Sequence, residues 1–163
     1  PPENPEHRAP VWKAMEHCLE QGWVKAIGVS NYGPVHLEAM KHYASYMPSV
    51  NQVEFNPWLQ RPHLKQATEA VGAKVMAYSP LARGHKVDDP ELGMIAERLG
   101  CTPAQVAIKF CYDEGCITIP KSSNPSRIIE NIASLDVDIS GEIDAIRGLE
   151  CDYISGWDPT TEP

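Results

Sequence analysis

The sequence predicts an α/β fold built from parallel strands that alternate with helices. Four short β-rich runs recur along the 163-residue chain, and each is followed by turn residues and then by apolar residues at helical spacing. This alternation is typical of βαβ units, whose strands are parallel and covered by helices. Periodicity leaves two architectures open: a small open doubly wound sheet, or half of a (β/α)8 barrel, which needs ~250 residues for eight units.

The predicted strands are Val24–Ser30, Ser49–Phe55, Ala73–Ser79 and Cys116–Pro120. Helices are expected after each strand, with two in the third connection, one before the first strand and one near the end of the chain. Gly22, Gly72 and Gly100 are predicted to close helices, and Thr102 with Gln105 predicts a capping box. The helical residues predicted to face the core are Trp12, Met15, Leu19, Leu37, Met40, Ala44, Leu64, Ala67, Val71, Leu92, Ile95, Leu99, Ile128, Ile132, Ile143, Ile146 and Leu149.

The composition excludes several classes of protein. Hydrophobic residues make up 42% of the chain, which is enough to bury a core and rules out a disordered tail. Because 22 acidic residues outnumber 14 basic ones, for a net charge of −8, nucleic acid is disfavoured as a partner. No apolar run approaches the ~18 residues of a membrane span, so no membrane partner is expected. The five cysteines are irregularly spaced without a C-x-x-C pair, which predicts a reducing, cytoplasmic location and no metal site.

Polar or aromatic side chains follow every predicted strand. In parallel α/β folds the functional side chains lie at these carboxyl ends, although loops are polar for other reasons as well. The fourth strand carries the strongest signal, because Lys121 and Ser122 follow it and Arg127 lies in the first turn of the next helix. A helix N-terminus favours an anion, and an arginine can donate two hydrogen bonds to one phosphate. These residues predict a phosphate site.

Four motifs, in the right order, resemble those of the aldo-keto reductases. They are VKAIGVSN at 24–31, NQVEFNP at 51–57, AYSPL at 77–81 and IPKS at 119–122, the last continued by Arg127-Ile128 and Glu130-Asn131; TPAQVAI at 102–108 is a fifth. The resemblance runs from about Val11 to Asn131. It implies a TIM barrel that reduces aldehydes and ketones to alcohols with NADPH, of which this chain holds strands 5 to 8. The whole chain, 1–163, is then one partial barrel domain, with a C-terminal helix and loop over 136–163.

The resemblance also implies a binding site for NADP(H). Amide and hydroxyl groups would bind the nicotinamide carboxamide, an aromatic ring would stack on the nicotinamide, and cationic groups would hold the phosphates and so select NADPH over NADH. The implied residues are Ser30, Asn31 and Gln52 (carboxamide), Tyr78 (ring face), Ser79, Leu81 and Arg83 (pyrophosphate), Lys121, Ser122 and Arg127 (2′-phosphate), and Glu130 and Asn131 (adenine).

No catalytic residue is predicted in this chain. The family's catalytic Asp, Tyr, Lys and His come from the first half of the barrel, and no Asp here has a Tyr five residues on, as the family does. A missing acid costs ~10²–10⁴-fold in rate, so we expect the isolated chain not to reduce its carbonyl substrate. The alternatives are a non-catalytic NADP-binding regulatory module and an inactive truncated homologue. Open sheet edges also predict a need for the N-terminal half-barrel or for self-association.

Overall fold

The computed structural model describes residues 5–161 and confirms the predicted α/β fold, with four parallel strands and flanking helices. The strands are β1 (Val29–Ser30), β2 (Val50–Glu54), β3 (Lys74–Tyr78) and β4 (Ile117–Thr118), and they are neighbours in that order. The helices are α1 (Arg8–Glu20), α2 (Pro34–Met40), α3 (Pro62–Ala70), α4 (Pro90–Leu99), α5 (Pro103–Asp113), α6 (Pro125–Ala133) and α7 (Ile143–Arg147). Within the described range, no helix is both long and apolar enough to cross a membrane.

The two outer strands are shorter than the sequence predicts. β2 and β3 are five residues long, close to the predicted runs, whereas β1 and β4 have two residues each. Each outer strand has a single neighbour in the sheet order, so few of its backbone groups enter a ladder. These two runs therefore contain more residues that favour a strand than the described chain can pair.

One compact unit contains the chain up to Val53, the range Pro62–Val75 and the chain from Trp157. β1 pairs with β2 in parallel, with Val29 opposite Asn51 and Ser30 opposite Gln52. Gly28 permits this approach, because a β-carbon at that position would lie 2.5 Å from Cγ2 of Val50. The core of the unit is formed by Trp12, Ile27, Tyr32, Leu37 and Met40.

The second compact unit contains Glu54–Arg61 and Met76–Gly156. Here β3 pairs with β4, with Met76 opposite Ile117, and the rings of Phe55 and Phe110 stack with centroids 6.2 Å apart. The predicted capping box of α5 is present: the Thr102 hydroxyl accepts the Gln105 N–H at 3.2 Å, and the Gln105 side chain accepts the Thr102 N–H at 3.0 Å. The cap fixes the start of α5, which borders the cavity described below.

Of the predicted core faces, that of α1 is wrong at Met15, although Trp12 is buried, and that of α6 is wrong at both positions. Met15 is exposed, and the residue that α1 buries beside Trp12 is Glu16. On α6 both predicted core residues, Ile128 and Ile132, are exposed by 44% and 66%, and the helix has no buried residue. The periodicity is real, but no described element covers that face. We call Ile128, Ile129, Ile132 and Leu135 the apolar stripe.

Glu16 joins α1 to the segment after α2 within the first unit. Its carboxylate accepts hydrogen bonds from Lys13 Nζ and the Tyr46 N–H, both at 2.9 Å, and from the Ser45 N–H. Burial would raise the pKa of this carboxyl, but the hydrogen bonds from Lys13, Tyr46 and Ser45 outweigh that effect and hold the pKa below its ordinary value. The ionised form therefore stabilises the folded state.

Replacing this carboxylate should destabilise the fold in a pH-dependent way. We expect Glu16→Gln to lower the free energy of unfolding at neutral pH by about 1–3 kcal/mol, because two backbone N–H groups and Lys13 lose a charged acceptor. The pKa of the Glu16 carboxyl is lower in the folded than in the unfolded state. The greater unfolding free energy of the wild type is therefore present above the unfolded pKa and is lost as the pH falls through the folded pKa. Urea unfolding at several pH values measures this. Glu38→Gln, at an exposed pair with Lys41, is the control; a loss at Glu16 that does not change with pH would contradict the assignment.

Candidate functional site

A cavity of about 660 Å³ lies within the second unit. Its walls come from the loop after β3, the start of α5, the segment after β4 and one face of α6. The size suits a small organic ligand, since such sites span roughly 300–1,000 Å³. Eight of the twelve residues that the sequence implicates line it: Ser79, Leu81, Arg83, Lys121, Ser122, Arg127, Glu130 and Asn131.

Three cationic side chains line this cavity without an acidic partner. The side chains of Arg83, Lys121 and Arg127 make no hydrogen bond or ion pair with any residue in the range 5–161. Elsewhere in the unit arginines are paired, as Arg98 is with Glu142 at 2.7 Å. In a chain of net charge −8, carboxylates to neutralise these cations are plentiful. Their convergence without partners therefore makes the cavity suited to an anion.

Glu130 is the carboxylate that lines the cavity, and it is already engaged. The Thr102 hydroxyl donates to its Oε1 at 2.5 Å, and Gln105 Nε2 donates to its backbone carbonyl at 3.4 Å. The capping box of α5 thus orients Glu130 toward the start of α5. The sequence indicated Thr102 only as a helix cap, but the structure adds it to the cavity lining.

The N-terminus of α6 forms part of the same cavity. The Asn124 side chain caps the helix by accepting the Ser126 N–H at 2.9 Å, and the Ser122 hydroxyl accepts the Asn124 N–H at 3.1 Å. The helix then presents Arg127, Glu130 and Asn131 to the cavity. The positive end of a helix dipole beside unpaired cations adds to the preference for negative charge.

The loop after β3 adopts an unusual backbone conformation. Ser79, Ala82 and Arg83 all have positive φ, at 49°, 45° and 55°. Non-glycine residues in this region cost on the order of 1–3 kcal/mol each, so surrounding contacts must hold them there. One such contact is a hydrogen bond from Asn56 Nδ2 to the Ser79 carbonyl at 3.3 Å. None of these three residues is a glycine, so the sequence gives no sign of the positive φ angles.

Three other implicated residues lie together in the first unit, at the ends of β1 and β2. The Ser30 hydroxyl and the Asn31 N–H both donate to the Gln52 carbonyl, at 3.1 and 2.9 Å. Tyr32, which follows Asn31, is fixed by buried Asn51. The Asn51 side chain accepts the Tyr32 N–H and donates to the Tyr32 carbonyl. Asn31 itself has a φ of 60°. Sequence reasoning missed Asn51 because its position inside a strand gives no sign of its role.

The twelfth residue, Tyr78, is half-buried at the end of β3 and is outside the cavity lining. Two further polar residues of the second unit serve other contacts. Nδ1 of His85 is hydrogen-bonded to the Tyr153 hydroxyl. Glu54 is buried, and its carboxylate accepts the Ser155 N–H at 3.2 Å.

Comparison with known proteins identifies the family. A sequence profile of the Aldo/keto reductase family matches residues 2–148. An uncharacterized oxidoreductase of Schizosaccharomyces pombe is 38% identical over 158 residues, which cover 96% of this chain and 58% of that protein. A glyoxal reductase of Bacillus subtilis is 39% identical over 150 residues, which cover 91% of this chain and 54% of that protein.

The fold agrees with this family. The crystal structure of Gox0644 in its apo form superposes with a TM-score of 0.87 at 35% identity, over 95% of this chain and 58% of that one. The neighbours are aldo-keto reductases with TIM-barrel structures. The chain spans about half the length of the curated relatives it matches. It belongs to the Aldo/keto reductase family.

Proposed function

We propose that this chain is the NADP(H)-binding part of an oxidoreductase that reduces aldehydes and ketones to alcohols. The observation that carries the proposal is the convergence of Arg83, Lys121 and Arg127, unpaired within 5–161, on one cavity of about 660 Å³. A nicotinamide dinucleotide phosphate carries a pyrophosphate and a further phosphate, and three cations suit that charge. When bound, the cofactor would supply the hydride.

In the proposal, each group of the cofactor has described side chains of suitable chemistry. Arg83 beside Ser79 would hold the pyrophosphate, and Lys121 with Arg127 would hold the 2′-phosphate, where the N-terminus of α6 adds its dipole. Leu81, Ser122, Glu130 and Asn131 complete this cavity in the proposal. In the first unit Ser30, Asn31 and Gln52 offer hydroxyl and amide groups suited to a carboxamide, and Tyr78, which belongs to the second unit, offers a ring face.

Reduction of a carbonyl also needs a proton donor beside the developing alkoxide. The chain lacks the family's Asp–Tyr spacing, so we propose that the acid comes from polypeptide outside residues 1–163. The name glyoxal reductase places a carbonyl substrate on one relative, and we extend that substrate class to the enzyme that contains this chain. Five free cysteines support a reducing, cytoplasmic location.

A second candidate function is a regulatory module that binds NADP(H) without catalysis. The observation in its favour is that the cavity keeps its unpaired cations while no catalytic acid is recognisable in the chain. The two functions differ in turnover, because both require nucleotide binding but only the enzyme requires the acid. An inactive homologue would lack both properties.

We further propose that the apolar stripe and the outer strand β4 need a covering partner. The stripe exposes Ile129 by 71% and Ile132 by 66%, and in and directly after β4 the side chains of Ile117 and Ile119 are exposed as well. Three isoleucines on one face of α6, followed by Leu135 in the turn after the helix, are typical of a buried surface. The further βα units of a barrel would cover it in the longer relatives, and a second copy would cover it in the isolated chain.

Cofactor selectivity tests the proposed phosphate site. We expect Arg127→Met and Lys121→Met to weaken NADPH binding by about tenfold to a hundredfold, since a charge-assisted hydrogen bond contributes ~1.5–3 kcal/mol. NADH binding should change by less than about threefold, because NADH has no 2′-phosphate. Fluorescence titration measures both constants. Lys41→Met, which removes an exposed lysine paired with Glu38, should bind like the wild type. Equal losses for NADPH and NADH would contradict the site.

Turnover separates the enzyme from its isolated part. We expect purified chain to bind NADPH but not to oxidise it in the presence of a reactive aromatic aldehyde, because the positioned acid is missing. Absorbance at the NADPH band follows the reaction, and a complete aldo-keto reductase serves as the positive control. Clear turnover by the chain alone would show that it holds an acid that the sequence does not reveal.

The apolar stripe should drive self-association of the isolated chain. We expect sedimentation at micromolar concentration to show species larger than 18.0 kDa, because exposed aliphatic side chains gain by mutual burial. Ile129→Lys with Ile132→Glu should shift the distribution toward the monomer. Val35→Lys, at an equally exposed apolar side chain of the first unit, is the control. A monomeric wild type would argue against the need for a cover.

A further inference from the structure

Arg83 lies in the cavity wall, and the segment 151–156 approaches Arg83 there. A β-carbon at position 156 would lie 3.2 Å from both Cζ and Nη2 of Arg83 and 3.3 Å from Nη1. Because all three distances are nearly equal, the face of the guanidinium is turned toward the place that a side chain at position 156 would occupy. A side chain at this position would make the guanidinium shift by a few tenths of an ångström.

The same segment contacts two neighbours of Arg83. Nδ1 of His85 lies 3.1 Å from the Tyr153 hydroxyl, and the two rings meet edge to face. Lys86 Nζ lies over the Tyr153 ring at 4.8 Å from its centroid, which is a cation–π distance. Three residues of the strained loop thus meet one short stretch of chain.

The segment has a fixed position of its own. The Tyr153 N–H donates to the carbonyl of buried Trp58 at 2.9 Å, and the Ser155 N–H donates to the buried Glu54 carboxylate at 3.2 Å. Both anchors belong to the end of β2 and the loop that follows it. Contacts on Arg83, His85 and Lys86 are therefore made from an anchored element and not from a loose tail.

We propose that Cys151–Gly156, which we call the strap, positions the Arg83 guanidinium at the cavity, with Gly156 and Tyr153 as positioning residues. The strap holds Arg83 in its left-handed conformation, with a φ of 55°, and leaves its guanidinium free of acidic partners within the described range. The identity of the anion that Arg83 meets rests on the proposed function. The mechanical role of the strap does not depend on that identity.

Two substitutions test the strap. Gly156→Ala inserts a methyl group under the guanidinium, and the backbone tolerates it because φ at this position is not positive. We expect it to weaken NADPH binding by about threefold to tenfold, since Arg83 is displaced without being removed. Tyr153→Phe removes the bond to His85 but keeps the ring beneath Lys86. Gly141→Ala is the matched control, because nothing lies within 4 Å of its β-carbon.

A double-mutant cycle distinguishes positioning from a general structural effect. In an Arg83→Met background, Gly156→Ala should cost no further affinity for NADPH. The same loss in both backgrounds, or no loss in either, would overturn the proposal. Equal thermal midpoints for Gly156→Ala and Gly141→Ala establish that the variants are folded.

Hydrogen exchange provides a readout that needs no cofactor. The Gly84 N–H donates to the Leu81 carbonyl at 2.7 Å, and the His85 N–H donates to the Ala82 carbonyl at 3.0 Å. In ligand-free protein, Gly156→Ala and Tyr153→Phe should both speed exchange of these two amides. If the wild type binds no NADPH but exchange is faster in the variants, the proposed function fails and the strap stands. Unchanged exchange overturns the strap whether or not NADPH binds.

Discussion

The loop after β2 constrains three stretches of the second unit. Trp58 is buried at 2% exposure, and its indole N–H donates to the carboxylate of Asp89, which also caps α4. Its carbonyl accepts N–H groups from Cys151 and Tyr153, while Asn56 donates to the Ser79 carbonyl. Both ends of the loop after β3 and the start of the strap are thus tied to one short segment. A single well-packed turn fixes three stretches of chain that are far apart in sequence.

Local signals were sufficient for much of the fold and for part of the site. The capping box of α5 and the glycines that close helices depend on neighbouring residues alone, and the structure confirms them. Lys121 and Arg127 were found because a strand end and a helix start place them near each other. The strap could not be predicted, since His85 and Tyr153 are 68 residues apart. The prediction that Ile128 and Ile132 are buried is wrong because burial depends on what packs against a helix. Periodicity indicates only that one face is suited to packing.

Charge is distributed unevenly in this protein. The chain carries an excess of eight negative charges, yet unpaired cations of the described chain gather in one cavity. Such a cavity attracts an anion at short range. The negative charge on the rest of the surface repels the anion, but salt screens this repulsion beyond ~10 Å. Glu130 lines the same cavity, where its carboxylate offsets part of this positive charge. The Thr102 hydroxyl holds that carboxylate toward α5.

Helix α6 carries two surfaces with different tasks. Arg127, Glu130 and Asn131 face the cavity, while Ile128, Ile129 and Ile132 point away from it and remain exposed. Both sets belong to one helix, so a partner that packed on the isoleucines and rotated α6 about its own axis would also reorient Arg127. Coupling of this kind is reciprocal: an anion in the cavity must strengthen the docking of that partner by the same factor by which the partner strengthens anion binding.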